Sequence, residues 1–225
     1  MAEFTNILAM DTALGGCTAA VVAGEESCMR SEEMLRGQAE YLVPFAQEAM
    51  EGCGVEYGDL DAVLCTVGPG AFTGLRIGMS AAKSFALSLD IPVFGITTTQ
   101  ALALNFSAGE NKPCSVILET KRQDFYVQSF DAKGQAVSEV AAVNAEEIQP
   151  QSVIIGDGLE RFINTSDYDG PSDEAYRLAD MAMIAKVMQK GGAEGAILSS
   201  DPQPVYLRDA DVSQPKKLPR KLGVS

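Results

Sequence analysis

The order of strand-like and helix-like segments in the first hundred residues restricts the fold more than any other feature of the chain. Three short runs with strand character follow one another with only turns between them, over residues 6–10, 17–22 and 27–31. Short turns between consecutive strands favour an antiparallel meander. A helix, a strand, a second helix and a further strand are then predicted over residues 37–50, 61–67, 75–89 and 92–96. Because crossovers through a helix are right-handed, the last two strands should lie parallel in the sheet.

This is the element order of a ribonuclease-H-like unit, and it partly repeats further along the chain. A second meander is predicted over residues 115–119, 125–130 and 135–139, with a short helical piece at 145–148 and a strand at 153–155. Residues 175–190 predict a last helix, ended by Gly191 and Gly192. We therefore expect an α/β protein with mixed sheets in two lobes, residues 1–103 and a reduced lobe at 104–210, with the boundary near residues 102–113.

The charge balance restricts the partners of the chain. It carries 17 Lys and Arg against 31 Asp and Glu, a formal charge of −14. Such a surface repels phosphates, so a partner would have to supply most of any contact with RNA. Four basic residues are nevertheless clustered near the C-terminus, at Lys216, Lys217, Arg220 and Lys221. The tail at residues 211–225 is either a disordered, solvated end or a basic arm that contacts RNA or an acidic partner.

The chain contains no histidine, and this excludes several kinds of active site. Ser-His-Asp and Cys-His nucleophilic schemes both require an imidazole, as do histidine-ligated zinc and iron sites. Any chemistry would have to use carboxylates, Lys, Tyr, Ser, Thr or a bound magnesium ion. The sequence therefore predicts no catalytic residues and no transition-metal site of its own.

The cysteines and the apolar runs bear on the compartment. Cys17, Cys28, Cys53, Cys65 and Cys114 are odd in number and contain no C-x-x-C pair, so neither a redox pair nor a zinc knuckle is indicated. Cys65 and Cys114 lie in apolar runs and are expected to be buried. No apolar run is long enough to cross a membrane, and no signal peptide is recognised at residues 1–6. We expect a cytoplasmic protein.

Two segments of the first lobe could contact a phosphate. Asp11 and Thr12 follow a strand, where an acidic residue can hold a magnesium–phosphate unit through water. The loop from Gly68 to Gly74 joins a strand to a helix, and its glycines permit close backbone approach to an anion at the helix N-terminus. It matches neither common phosphate-loop pattern. The alternatives are an ordinary Asp turn and a tight strand-to-helix connection in which Arg76 pairs with a carboxylate.

The two first-lobe helices are the other candidate surface. The helix over residues 37–50 carries Tyr41 and Phe45, and the helix over 75–89 carries a row of small residues, Gly78, Ser80, Ala81, Ala82 and Ser84. Apolar stripes of this kind usually pack on the sheet of their own domain. The excess of apolar positions also suits a helix-to-helix interface with another subunit. Both interpretations remain open from these residues alone.

Several segments resemble one protein family. The run from Val67 to Gly78, VGPGAFTGLRIG, is accompanied by ILAMDT at residues 7–12, DLDAV at 59–63, the continuation over 79–103, and PVYLR at 204–208. Together they resemble the TsaB (YeaZ) family of the actin-like ATPase superfamily, a family of tRNA threonylcarbamoyladenosine biosynthesis. The resemblance is close over residues 5–103 and weak from there to about residue 200.

The resemblance implies an actin-like ATPase (ribonuclease-H-like) fold and a role without catalysis. TsaB-like proteins bind and stabilise TsaD, a paralogue that transfers threonylcarbamoyl to tRNA, and a TsaE ATPase joins the assembly. They pair with TsaD, or with themselves as homodimers, through the two first-lobe helices. The implied interface residues here are Gln38, Tyr41, Leu42, Phe45, Leu75, Met79 and Ala82. The candidate contacts to ATP or ADP with magnesium, at a composite interface, are Asp11, Thr12, Gly68, Gly70, Thr73 and Gly74.

One departure from the family pattern bears on these implications. TsaB relatives usually show His-(Ser/Ala)-Glu on the first helix, where this chain has Gln38, Ala39 and Glu40. Gln is a poor ligand for a transition metal, which argues further against metal chemistry. Two other functions compete with the partner role. They are an autonomous nucleotide-hydrolysing or kinase-type enzyme that uses Asp11 and the Gly68–Gly74 loop, and a self-associating scaffold without an enzymatic partner.

Overall fold

A computed structural model describes residues 4–150, 152–195 and 198–207, so the basic tail and Arg208 lie outside the described residues. The first part of the chain forms β1 (Asn6–Asp11), β2 (Gly16–Ala23), β3 (Glu26–Glu33), α1 (Gln38–Cys53), β4 (Ala62–Thr66), α2 (Phe72–Leu89), β5 (Val93–Ile96) and α3 (Thr98–Glu110). The second part forms β6 (Cys114–Glu119), β7 (Asp124–Phe130), β8 (Ala141–Asn144), β9 (Val153–Ile155), α4 (Leu159–Ser166) and α5 (Met181–Gly195). Short 3-10 turns lie at Tyr57–Asp59 and Ala145–Glu147.

The strands form two mixed sheets with corresponding topologies. The first sheet has the order β3-β2-β1-β4-β5, with β1, β2 and β3 antiparallel and β1, β4 and β5 parallel. The second has the order β8-β7-β6-β9, in which β6 pairs antiparallel with β7 and parallel with β9. The second sheet therefore repeats the first without a counterpart of β5. This confirms the predicted α/β fold of actin-like type, with two mixed sheets and a reduced second unit.

Alternating side chains of β1 belong to two different cores. Ile7 and Ala9 face a core that lies between the sheets and includes α3 and α5, whereas Leu8 and Met10 face a core beneath α1 and α2. This alternation follows from the two-residue period of a strand. Burial on both faces explains why β1 is almost continuously apolar. A third, smaller core packs α4 on the outer face of the second sheet. In the described part of the chain, no helix is long and apolar enough to cross a membrane.

Two predicted elements of the second part are corrected, and two helices of the chain were not predicted. The third strand of its meander is β8 at Ala141–Asn144 and not residues 135–139, where only Ala136 bridges to β7. The last helix begins at Met181 and not at residue 175, because the Asp180 carboxylate accepts the Met183 amide at 2.9 Å as a helix cap. Neither α3 nor α4 was predicted. The first six residues of α3 are buried, so it lacks the polar face by which an amphipathic helix is recognised.

The predicted lobe boundary does not follow the packing. Helix α3 runs through residues 102–110 without a break, where the boundary was expected. Helix α5 packs against β1 and β2 of the first sheet, although its residues were assigned to the second lobe. Residues 198–207 also return to the first sheet. There Ser199 pairs with Gly95 beside β5, and the Val205 amide donates to the Val67 carbonyl at 2.7 Å.

The glycines that follow β4 allow two backbone segments to touch. The Thr12 hydroxyl donates to the Gly74 carbonyl at 2.7 Å, and the Ala71 amide donates to the Ala13 carbonyl at 2.7 Å. A Cβ on Gly74 would overlap the Thr12 carbonyl oxygen, and one on Gly70 would overlap that of Ala13. These glycines are therefore required by the contact between the end of β1 and the first turn of α2.

The close contact at Gly74 predicts an effect of substitution on the free energy of unfolding. We expect Gly74→Ala to lower the free energy of unfolding by about 2 kcal/mol or more, because the new methyl group must push apart two buried backbone segments. Gly15→Ala is the matched control, since no atom lies within 4 Å of a Cβ at that position, and it should change stability by less than about 0.5 kcal/mol. Urea unfolding followed by circular dichroism measures both. Equal stability of the two variants would contradict the close approach.

Candidate functional site

A groove runs between α1 and α2, the two helices that cover the outer face of the first sheet. It has a volume of about 530 Å³ and is lined by Ala39, Leu42, Val43, Phe72, Thr73, Arg76, Ile77, Ser80 and Ala81. Val43 is 46% exposed and Phe72 is 40% exposed, which is high for apolar side chains of this size. Small residues on both walls leave room for a side chain or a helix to enter. The groove is therefore a largely apolar surface that the described residues, 4–150, 152–195 and 198–207, leave uncovered.

The structure places most of the predicted interface residues beneath this groove. Tyr41 is exposed and half-buried Gln38 donates to the Met34 carbonyl at 3.1 Å. Five others are buried in the core under α1 and α2: Leu42, Phe45, Leu75, Met79 and Ala82. Of these five, only Leu42 reaches the groove, at its floor. Those five side chains pack on their own sheet, and that the whole set forms a partner interface stays a prediction. Whether the two helices bind a partner stays a prediction.

The outward-facing residues Val43, Phe72 and Ile77 were not singled out by sequence reasoning. Helix α2 has apolar residues on two faces, and the predicted set was taken from the face that covers the sheet. A signal for the other face existed in the four-residue spacing of Thr73, Ile77 and Ala81.

Tyr206, near the end of the described chain, packs against two residues that line the groove. The ring of Tyr206 packs on that of Phe72 with centroids 5.3 Å apart, and the Arg76 Nε donates to the Tyr206 hydroxyl at 3.3 Å. The Arg76 guanidinium in turn lies 3.8 Å above the centre of the Phe72 ring, a cation–π contact. Three side chains from two distant parts of the sequence thus form one wall. The family-like segment at residues 204–207 is part of this wall.

A second, larger site is the cleft between the two sheets. It has a volume of about 1070 Å³ and opens at the ends of β1 and β6, between Ala13 to Gly15 of the first sheet and Glu119 to Arg122 of the second. The first turn of α2 borders it, so Gly70, Thr73 and Gly74 line the cleft whereas Asp11, Thr12 and Gly68 do not. Its charged lining is balanced: Arg36, Lys121, Arg122 and Arg177 face Glu33, Glu40, Glu119 and Asp157.

Asp11 lies in the interior and not in the cleft. Its Oδ1 accepts the Thr66 hydroxyl at 2.5 Å and the Ala13 amide at 3.0 Å, and the residue is 2% exposed. Burial raises the pKa of this carboxyl group, and the two hydrogen bonds oppose that rise only in part. This arrangement does not fit a hydrated magnesium–phosphate unit, which needs a carboxylate open to water. The prediction that Asp11 contacts a nucleotide is therefore not supported by its geometry.

At the end of β6, Glu119 is held by a basic residue of the same chain. The Arg161 guanidinium donates to both of its carboxylate oxygens, at 2.6 and 2.8 Å, and lies 3.7 Å above the centre of the Phe125 ring. The Lys121 amide donates to the same carboxylate. Burial alone would raise the pKa of Glu119, but these hydrogen bonds outweigh it and hold the pKa below its ordinary value.

Asp157 meets Glu119 at the junction of β6 and β9. Its Oδ1 accepts the Glu119 amide at 3.0 Å, so two of the acidic residues scattered in the sequence converge in the cleft wall. Burial raises the pKa of Asp157 to about 6, and this hydrogen bond limits the rise. Among the residues that the structure describes, no three Cys, Asp or Glu side chains lie close enough together to hold a metal ion.

The raised pKa of Asp157 has a measurable consequence. The folded protein holds this proton more tightly than an ordinary Asp of pKa 3.8, so the free energy of unfolding should fall as pH rises from about 4 to about 6 and then level off. Asp157→Asn should make that fall smaller and raise stability at pH 7 by about 1 to 2 kcal/mol. Urea unfolding across this pH range measures it, with the exposed Asp169→Asn as the matched control. A pH dependence identical to that of the unaltered protein would contradict the assignment.

Comparisons with known proteins agree with the fold and the motifs. A family model described as "TsaD: tRNA N6-adenosine threonylcarbamoyltransferase" matches residues 32–162, more than half of the chain. An uncharacterized protein of Mycobacterium tuberculosis is 32% identical over 127 residues, or 55% of this chain and 58% of that protein. The chain thus spans little more than half the length of this relative.

Two further proteins match over nearly the whole chain. A protein of Haemophilus influenzae named tRNA threonylcarbamoyladenosine biosynthesis protein TsaB is 25% identical over 238 residues, which cover 95% of this chain and 97% of that protein. The solved structure of YeaZ from Pseudomonas aeruginosa has a TM-score of 0.78 at 20% identity, covering 90% of this chain and 100% of that chain. This last likeness bears on the fold alone. From the TsaD-type domain, the TsaB relatives and the shared fold together, the chain belongs to the TsaB/YeaZ family.

Proposed function

We propose that this chain is a non-catalytic subunit that binds and stabilises a TsaD-like transferase in threonylcarbamoyladenosine modification of tRNA. The pathway is supported by the names of its relatives, several of which are called tRNA threonylcarbamoyladenosine biosynthesis protein TsaB. The partner is supported by the match of residues 32–162 to a TsaD-type domain, because paralogous domains commonly pair through corresponding surfaces.

The observation that carries the proposal is the uncovered groove between α1 and α2. Exposed Val43 and Phe72 and half-buried Ile77 border small residues at Ala39 and Ala81. A helix of another subunit could pack its apolar side chains into such a groove. The buried core beneath both helices holds the groove walls in place before binding, which limits the entropy lost on association.

The chemistry of the chain supports an accessory role. It supplies no imidazole, Asp11 is enclosed by Thr66 and Ala13, and Glu119 is paired with Arg161. With a formal charge of −14, the chain would contact tRNA only indirectly, through a partner that carries the basic surface. A TsaE-like ATPase is a further proposed partner, with any ATP or ADP and magnesium bound at a composite interface. We place the complex in the cytoplasm, where tRNA is modified.

Self-association is part of the same proposal. A homodimer of the isolated chain would use the groove that the TsaD-like protein uses, so the two associations should compete. Light scattering on the chain alone and after addition of the partner would show this as an exchange of one complex for the other.

A pair of charge substitutions tests the docking surface. We expect Val43→Glu to weaken binding of the TsaD-like protein from the same organism at least about tenfold, because a carboxylate would be desolvated in an apolar groove. Leu87→Glu is the control, since Leu87 is an 85% exposed apolar residue of α2 outside the groove lining, and it should leave binding unchanged. Size-exclusion chromatography with light scattering, followed by calorimetry, measures both. Buried Phe45 is unsuitable for this purpose, because a charge there would disrupt the fold.

Other outcomes would count against the proposal. Absence of a complex for the unaltered chain, even with ATP, magnesium and a TsaE-like ATPase present, would remove the partner role. Turnover of ATP by the isolated chain, lost on Asp11→Asn, would instead support the autonomous enzyme. Equal weakening by both Glu substitutions would place the interface elsewhere on the two helices.

A further inference from the structure

Two of the five cysteines lie together at the surface, away from both the groove and the cleft. Cys17, Cys65 and Cys114 are buried, whereas Cys28 on β3 and Cys53 at the end of α1 are half-buried. They are separated by 25 positions in the sequence, and no C-x-x-C spacing indicates the pair. Their proximity is therefore a product of the fold.

Backbone register and a glycine bring the two thiols together. Cys28 pairs with Val21 across the β2–β3 ladder, and the Cys53 thiol donates to the carbonyl of that same Val21 at 3.7 Å. The Cys28 sulfur packs over Gly52, where a Cβ would lie 3.0 Å from it. Both thiols therefore lie between Val21 of β2, the ladder partner of Cys28, and the last turn of α1, where Gly52 is the chain neighbour of Cys53. Gly52 thus leaves the space in which the Cys28 side chain meets the last turn of α1.

We propose that Cys28 and Cys53 form a reversible disulfide that ties the C-terminal end of α1 to the edge strand β3. The oxidant would be a low-molecular-weight disulfide such as oxidised glutathione. One cysteine thiolate attacks it, forming a mixed disulfide and releasing one glutathione thiolate, and the second cysteine then displaces the other glutathione. Overall, two protein thiols are oxidised and one glutathione disulfide is reduced to two glutathione thiols, with the two protons retained by the glutathione or the buffer.

The surroundings set the order of the two attacks. Burial and the adjacent Cys28 thiol raise the pKa of Cys53 to about 12, so its thiolate is scarce near neutral pH. Cys28 lies on the edge strand β3 and is half-buried, and in this proposal it attacks first. Cys53 then acts as the resolving thiol, because its place next to Gly52, over which the Cys28 sulfur packs, gives it a high effective concentration at the mixed disulfide.

The bond would constrain the chain between the two residues. It closes a loop that contains the end of β3, the turn before α1 and the whole of α1. Closing such a loop restricts the unfolded chain and stabilises the folded one. Oxidised protein should therefore unfold at a higher temperature than reduced protein, and addition of a reductant should reverse the shift. This effect does not depend on any partner subunit.

The test uses the full chain and two matched variants, Cys28→Ser and Cys53→Ser, in a glutathione redox buffer near pH 8. Free thiols are counted, intact masses are measured without reductant, and the linked peptides are identified after proteolysis. We expect the unaltered chain to lose two hydrogens without gaining glutathione, with Cys28 linked to Cys53 in one monomer. Cys53→Ser should instead retain one glutathione on Cys28, and Cys28→Ser should react far more slowly. Both variants should lose the reversible rise in the unfolding temperature.

Three results would overturn the proposal. The first is an unaltered chain that keeps stable glutathione on Cys28, which would show that Cys53 does not resolve it. The second is a disulfide that joins two chains, visible as a doubled mass without reductant. The third is an unreacted Cys28 in both the unaltered chain and Cys53→Ser. Circular dichroism of each variant verifies that the serine substitutions leave the fold intact.

Discussion

The contact between the end of β1 and the first turn of α2 is the constraint on which both candidate sites depend. The Thr12 hydroxyl and the Gly74 carbonyl join at 2.7 Å, and no side chain larger than hydrogen fits at Gly74 or Gly70. This contact orients α2, and the orientation of α2 in turn sets one wall of the groove and one edge of the cleft. The glycine-rich run is therefore explained by packing of the backbone on itself, without any bound anion.

Because α2 begins at this contact, the groove and the cleft share residues. Phe72, Thr73 and Ile77 line both of them, together with Ala39 of α1. Tyr206 stands at the same junction through its contacts with Phe72 and Arg76. A partner helix seated in the groove would consequently press on the rim of the cleft and on the end of the C-terminal segment. The composite nucleotide site that we propose would lie at this junction, where the partner would supply the groups that this chain keeps enclosed.

The strands of the first sheet could be predicted from the sequence, whereas the helices α3 and α5 that pack on it were missed or misplaced. The spacing of turns indicates the meander, and the amphipathic period indicates the helices. The bounds of β1 to β5, α1 and α2 were therefore predicted within a few residues. Helix α3 was missed because it is buried on nearly every side. The start of α5 was placed too early because helix propensity does not show that Asp180 caps the helix. The interface residues were taken from the stripe with the strongest period. That stripe faces the sheet, and sequence alone does not distinguish it from a second apolar stripe that faces solvent.

The acidic residues at the strand ends of the two sheets are each held by neighbours in the same chain. Both sheets place a carboxylate at the last residue of a central strand: Asp11 of β1 is buried in the interior, and Glu119 of β6 lies in the wall of the cleft. The first is satisfied by Thr66 and the Ala13 amide in the interior, and the second by a two-bond pair with Arg161. A buried charge or polar group without partners is costly, so each of these pairings stabilises the fold. These pairings engage Oδ1 of Asp11 and both carboxylate oxygens of Glu119. In each unit the acid at the strand end thus has a structural role, which leaves the apolar groove as the surface best suited to bind a partner.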